Sequence, residues 1–108
     1  EYLLKLHYSL SPVQVAIMPL LKNKEELWNK SREIYDMLKK EFVVKFDDSG
    51  NIGKRYRRQD ELGTPMCVTI DFDSLVDNCV TIRNRDTMQQ ERIKINELKN
   101  YLRDKYVW

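Results

Sequence analysis

The chain has 108 residues, 42% of them hydrophobic and 33% charged, a balance that fits one globular domain and excludes a disordered or collagen-like polymer. Its 19 Lys and Arg stand against 17 Asp and Glu for a net charge of +2, so any case for nucleic-acid binding rests on local clustering. The longest apolar run, residues 15–21, falls far short of the ~20 residues a membrane-spanning helix needs, and Cys67, Cys79 and the single His7 lack the spacing of a four-ligand zinc site.

The segment from Glu1 to Ser11 has no clear period and reads as a lead-in, with Ser11-Pro12 as a break. Val13 to Leu20 is almost continuously apolar and predicts a strand covered on both faces. Asn23 is placed to cap a helix starting at Lys24, with Glu25 and Glu26 in its first turn and Leu27, Trp28, Ser31, Ile34, Tyr35 and Leu38 at helical spacing. Phe42 to Phe46 predicts a second strand, and the strand–helix–strand order favours parallel pairing.

The turn cluster Asp47-Asp48-Ser49-Gly50-Asn51 precedes a short helix through Leu62, closed by Gly63 and stopped by Thr64-Pro65. Met66 to Asp73 alternates, with Met66, Val68, Ile70 and Phe72 on one face and Cys67, Thr69, Asp71 and Asp73 on the other, which predicts a half-buried strand. A turn at Asp77-Asn78 leads into Cys79 to Arg85, with Val80 and Ile82 inward, so the two strands should form a hairpin. Met88 to Lys94 suits a sheet edge, and Asn96 opens a final helix carrying Leu98, Tyr101 and Leu102. Both cysteines are expected to be reduced thiols in an intracellular setting. A start with neither Met nor a signal-peptide pattern suggests a piece of a longer protein.

Lys54-Arg55-Tyr56-Arg57-Arg58 puts four cations in five residues. These are either a solvated helix face, pairing with Asp60 and Glu61, or an anchor for phosphates beside free backbone N–H groups at a helix start. Gly-x4-Gly-Lys-[Ser/Thr] spacing is absent, so the run is not a P-loop. Asp71, Asp73, Arg83 and Arg85, with Thr69 and Thr81, form a polar hairpin face that either pairs internally or reads base edges. No nucleophile–base pair or metal set emerges, which argues against catalysis by this segment.

Residues 47–65, containing Ile52-Gly53-Lys54-Arg55-Tyr56 and the Gly63-Thr64-Pro65 stop, resemble the signature segment of the C-terminal anticodon-binding domain of class II aminoacyl-tRNA synthetases. The likeness continues through Met66 to Asp73 and through Val80-Thr81-Ile82-Arg83-Asn84-Arg85-Asp86-Thr87-Met88, which is similar to the glycyl-tRNA synthetases of the dimeric, archaeal and eukaryotic type. Leu10 to Ala16 and Pro19-Leu20 fit the family's first strand.

The resemblance implies an α/β fold: a mixed five-stranded sheet surrounded by three helices. Residues 1–12 would lead in from a preceding catalytic domain, and residues 13–108 would form the anticodon-binding domain. It implies a glycine tRNA as partner, ATP and Mg in the catalytic domain, no cofactor here, a homodimeric parent, no membrane, and a cytoplasmic or mitochondrial location. Ser49 and Arg83 match positions that read bases in related domains. Gly50 would let a base approach the backbone; Lys54, Arg57, Asp71 and Arg85 are added by expected geometry. Tyr56 is expected in the core by helix periodicity, with base stacking as its other option. The rival within the resemblance is a protein-interaction module, either like the accessory subunit of mitochondrial DNA polymerase or a free-standing paralogue.

Overall fold

The computed structural model describes residues 2–106. Strand β1 (Val15–Pro19) lies inside the sheet, buried along its whole length as its continuous apolar sequence requires. Helix α2 (Glu25–Leu38) follows, burying Leu27, Ser31, Ile34 and Leu38. It starts one residue later than expected: Lys24 occupies the N-cap without a side-chain cap bond, so Asn23 does not cap it. The chain returns through β2 (Val44–Phe46), parallel to β1 with Val15 opposite Val44.

Helix α3 (Ile52–Leu62) is capped at both ends, of which the sequence predicted only the Gly63 closure. The Asn51 side chain accepts from the Lys54 N–H, and Gly63 closes the helix in the left-handed conformation at φ 78°. It leads to β3 (Met66–Ile70), parallel to β1 on the side away from β2. Short α4 (Ser74–Asp77) then connects to β4 (Cys79–Asn84), antiparallel to β3, and β5 (Gln90–Lys94) closes the far edge. A 3-10 turn at Ile95–Glu97 precedes α5 (Leu98–Arg103), so Asn96 lies within the turn and does not open the helix. The strand order is β2-β1-β3-β4-β5. This is the expected mixed five-stranded sheet, with α2, α3 and α5 as its three longer flanking helices after residue 13.

Two expectations need correction. Residues 2–9 form helix α1 (Tyr2–Ser9), where the sequence suggested an aperiodic lead-in. Its Tyr8 is buried in the main core, 6.2 Å edge-on from Tyr106, and its hydroxyl meets the Asn84 side chain. Strand β3 is buried on both faces and ends at Ile70, where the alternation predicted a half-exposed strand through Asp73. The cause is α3. Right-handed crossovers running in opposite directions across β1 place α2 on one face of the sheet and α3 on the other. There Ile52 and Tyr56 cover Ala16, Met18 and Cys67. The tight hairpin turn expected at Asp77-Asn78 is likewise replaced by α4, which Asn78 terminates at φ 55°.

Candidate nucleic-acid interface

Because β1 has β2 on one side and β3 on the other, the connections leaving β1 and β2 diverge at the top of the sheet. Such a switch point opens a crevice at the carboxyl end of β1. Here it is a groove of mostly apolar walls between Leu20–Asn23 and Gly50–Ile52, with Arg55 at its base.

The Ser49-Gly50 turn beside the groove is held by buried Asp47. This carboxylate accepts from the Ser49 backbone N–H at 3.2 Å, the Gln59 amide at 2.9 Å and Arg58 Nη1 at 2.6 and 2.8 Å. Burial works against its charge, yet the hydrogen bonds from Gln59, Arg58 and Ser49 prevail and hold its pKa below the usual carboxylate value. Gly50 adopts φ 72°, a left-handed conformation that favours glycine.

The four-cation run does not act as one patch. Arg55 is only 1% exposed: it donates from Nε and Nη2 to the Gly50 carbonyl, at 3.2 and 3.0 Å, and from Nη1 to the Pro19 carbonyl. Burial lowers its pKa, against the attraction of Asp47 and Asp48. Arg58 is committed to Asp47. Lys54 and Arg57 point outward, and among the described residues neither side chain has a hydrogen-bonding or ionic partner. The helix thus uses two cations to build the turn and presents the other two.

The hairpin face pairs differently from expectation. Arg83 does not meet Asp71 or Asp73; it makes a two-pronged contact with Asp60 of α3, at 2.9 and 3.2 Å, and lies 5.1 Å from the Tyr56 ring centre. The Asp60 hydrogen bonds raise its pKa. At 8% exposure Arg83 is packed beneath its neighbours rather than displayed. It lies near the C-terminal end of α3, whereas Ser49 and Gly50 precede the N-terminus. From Asn51 to Asp60 the helix rises about 14 Å. Arg85 joins the lower group, donating to the Asp60 carbonyl at 2.9 Å and to Asp86 at 3.2 Å.

Asp71 lies in the upper group. Its Oδ1 is fixed by the Ser74 N–H and hydroxyl, both at 3.0 Å, while Oδ2 accepts from Arg92 at 3.2 Å. Arg92 also donates to Asp77 and to the Thr81 hydroxyl. Sequence reasoning missed Arg92, and it paired Asp60 with the cations of its own helix instead of with Arg83. The alternation Gln90, Arg92, Lys94 opposite the Thr81 face could have revealed the first, but a contact between helix and sheet has no local period to reveal the second. Tyr56 has a half-buried ring over the second core cluster, and its hydroxyl meets Thr69 Oγ1. Burial raises its pKa.

Nothing in this region suggests bond-making chemistry. Burial pushes the Cys67 thiol up to about 12, leaving it protonated and a poor nucleophile. Among the described residues no three His, Cys, Asp or Glu side chains are placed to hold a metal ion, and no helix is long and apolar enough to cross a membrane. The surface instead offers an apolar groove, exposed backbone, two unpaired cations and a donor–acceptor strip.

A family described as "Anticodon binding domain" matches residues 14–105. Similar proteins include the glycine–tRNA ligase of Clostridium beijerinckii, 61% identical over 97 residues, covering 90% of this chain and 20% of that protein. The glycine–tRNA ligase of Alkaliphilus metalliredigens is 52% identical over 102 residues, covering 94% of this chain and 21% of that protein. That of Acetivibrio thermocellus is 53% identical over 103 residues, covering 95% and 22%. The chain therefore spans about one fifth of the length of the curated relatives it matches.

Proposed function

Since the chain belongs to the anticodon-binding domain family, we propose that it is the part of a glycine–tRNA ligase that receives the anticodon arm of a glycine tRNA. The observation that carries this reading is the division within residues 54–58: Arg55 and Arg58 secure the Gly50 turn, while Lys54 and Arg57 stand unpaired beside an apolar groove. Anticodon bases are unstacked in their loop, so their faces can enter such a groove and their edges can be read.

In this account a base approaches the backbone at Ser49 and Gly50. Lys54 and Arg57 neutralise neighbouring phosphates. Lower on the sheet, nearly buried Arg83 acts as one unit with Asp60, holding in place the partly exposed carboxylate that meets a base. Asp71 and Arg85 flank the path at the upper and lower ends.

The parent enzyme attaches glycine in a separate catalytic domain using ATP and Mg. The present domain adds no catalytic residue and needs no cofactor. The proposed parent is a homodimer of the type shared with archaea and eukaryotes and acts in the cytoplasm, or in a mitochondrial form where the host has one; the named relatives are bacterial.

Filter binding of glycine tRNA and anticodon-swapped glycine tRNA at two salt concentrations tests the division of labour. Arg83→Ala should cost about 1–3 kcal/mol on the cognate tRNA and relax discrimination at one base, whereas Lys54→Ala should weaken both tRNAs and flatten the salt dependence. Equal losses for both variants on both tRNAs would refute it.

A further inference from the structure

On the other side of the Gly50 turn, α2 and β2 build a feature outside the groove. The guanidinium of Arg32 lies 4.6 Å from the Tyr35 ring centre, 4.9 Å from Phe46 and 5.7 Å from Trp28. Arg55, Arg58, Arg83, Arg85, Arg92 and Arg103 each donate to an oxygen. Arg32 is held by rings alone, with no oxygen acceptor among the described residues. The nearby carboxylates are taken: Glu33 by Lys30, Asp36 by Lys39, and Asp48 by the Trp28 indole N–H at 3.1 Å.

A guanidinium fixed against aromatic faces keeps its planar fork of N–H donors and has little rotamer freedom left to lose. That is a prepared receptor for an oxyanion. The Trp28–Asp48 bond also makes the patch continuous with the Ser49-Gly50 turn, since Asp48 immediately precedes Ser49. Resting on the tRNA-binding reading above, we propose that Arg32, seated among Trp28, Tyr35 and Phe46, binds a backbone phosphate of the RNA and carries the interface around the β2 edge of the sheet.

The test is filter binding across a salt series, with the intact protein carrying this domain and both cognate and anticodon-swapped glycine tRNA. Arg32→Gln should weaken both RNAs about tenfold alike and reduce the salt slope by about one phosphate's worth. Arg32→Lys keeps the charge and the methylene stem, so it guards against a folding artefact. It should retain the slope but bind several-fold more weakly, because an ammonium lacks the fork. Unchanged affinity and slope in Arg32→Gln, with Arg57→Ala reducing both, would overturn this inference alone and leave the patch to contacts with acidic protein surface. Failure of the wild-type protein to bind tRNA would overturn the underlying reading as well.

Discussion

Arg83 and Asp60 face each other across the gap between β4 and α3 through two hydrogen bonds, and Arg83 is almost sealed by the Tyr56 ring beneath it. The pair fixes the lower end of α3 against the sheet. Asp60→Asn removes the carboxylate's charge and leaves a nearly buried cation without its counter-ion. It should destabilise the domain by about 1–3 kcal/mol in urea unfolding, a range lowered for the partial exposure of Asp60. A change within 0.5 kcal/mol would mean the pair is only a surface contact.

Neighbouring cations of α3 should separate by assay. Arg55→Leu strands the carbonyls of Pro19 and Gly50 and should cost about 2–4 kcal/mol of stability. Arg57→Ala should leave stability within about 0.5 kcal/mol while weakening tRNA binding and its salt dependence. Thermal or urea unfolding alongside filter binding checks both. Similar stability losses in the two variants would contradict the assigned geometry.

Asp47 supplies a pH dependence. Its pKa in the folded domain lies below the ordinary 3.8, so its contribution to stability is present above that value and is lost as pH falls through the folded pKa. Urea midpoints between pH 6 and pH 2.5 should therefore fall at the acid end, and Asp47→Asn should flatten that limb while lowering stability at pH 6. An acid limb of unchanged size in the variant would place the titrating group elsewhere.

The Gly50 turn makes a backbone prediction. Position 50 sits at φ 72°, and an added Cβ would meet the Lys54 side chain at 3.7 Å and Arg58 Nη2 at 3.9 Å, both ordinary contact distances. The penalty of Gly50→Ala is therefore conformational, about 1–2 kcal/mol, and not steric. Unfolding of Gly50→Ala, with Gly53→Ala as a helical comparison, measures it; an equal or stabilising effect at both positions would argue against the left-handed turn.

Elements with one strong local signal were legible in the sequence. The apolar run of β1, the spacing of Leu27, Ile34 and Leu38, and the Gly63 cap each determine their element within a few residues. Asp71 misled because alternation reports two faces without saying whether a helix covers one, and α3 covers the Cys67 face. The basic run misled in a related way. Nothing local distinguishes Arg55, which reaches back 36 residues to the Pro19 carbonyl, from Arg57, which reaches solvent. The partner of Arg83 was hidden because Asp60 belongs to another element 23 residues away. Charge density was readable; its allocation between structure and ligand emerged only when the elements packed.

The most direct test is a crystal structure of this chain with a glycine tRNA anticodon stem-loop. The account predicts a base in the groove between Leu20–Asn23 and Gly50–Ile52, phosphates at Lys54 and Arg57, and a second base at the Arg83–Asp60 pair. An anticodon loop docked against α5, with the groove and α3 left open to solvent, would contradict it.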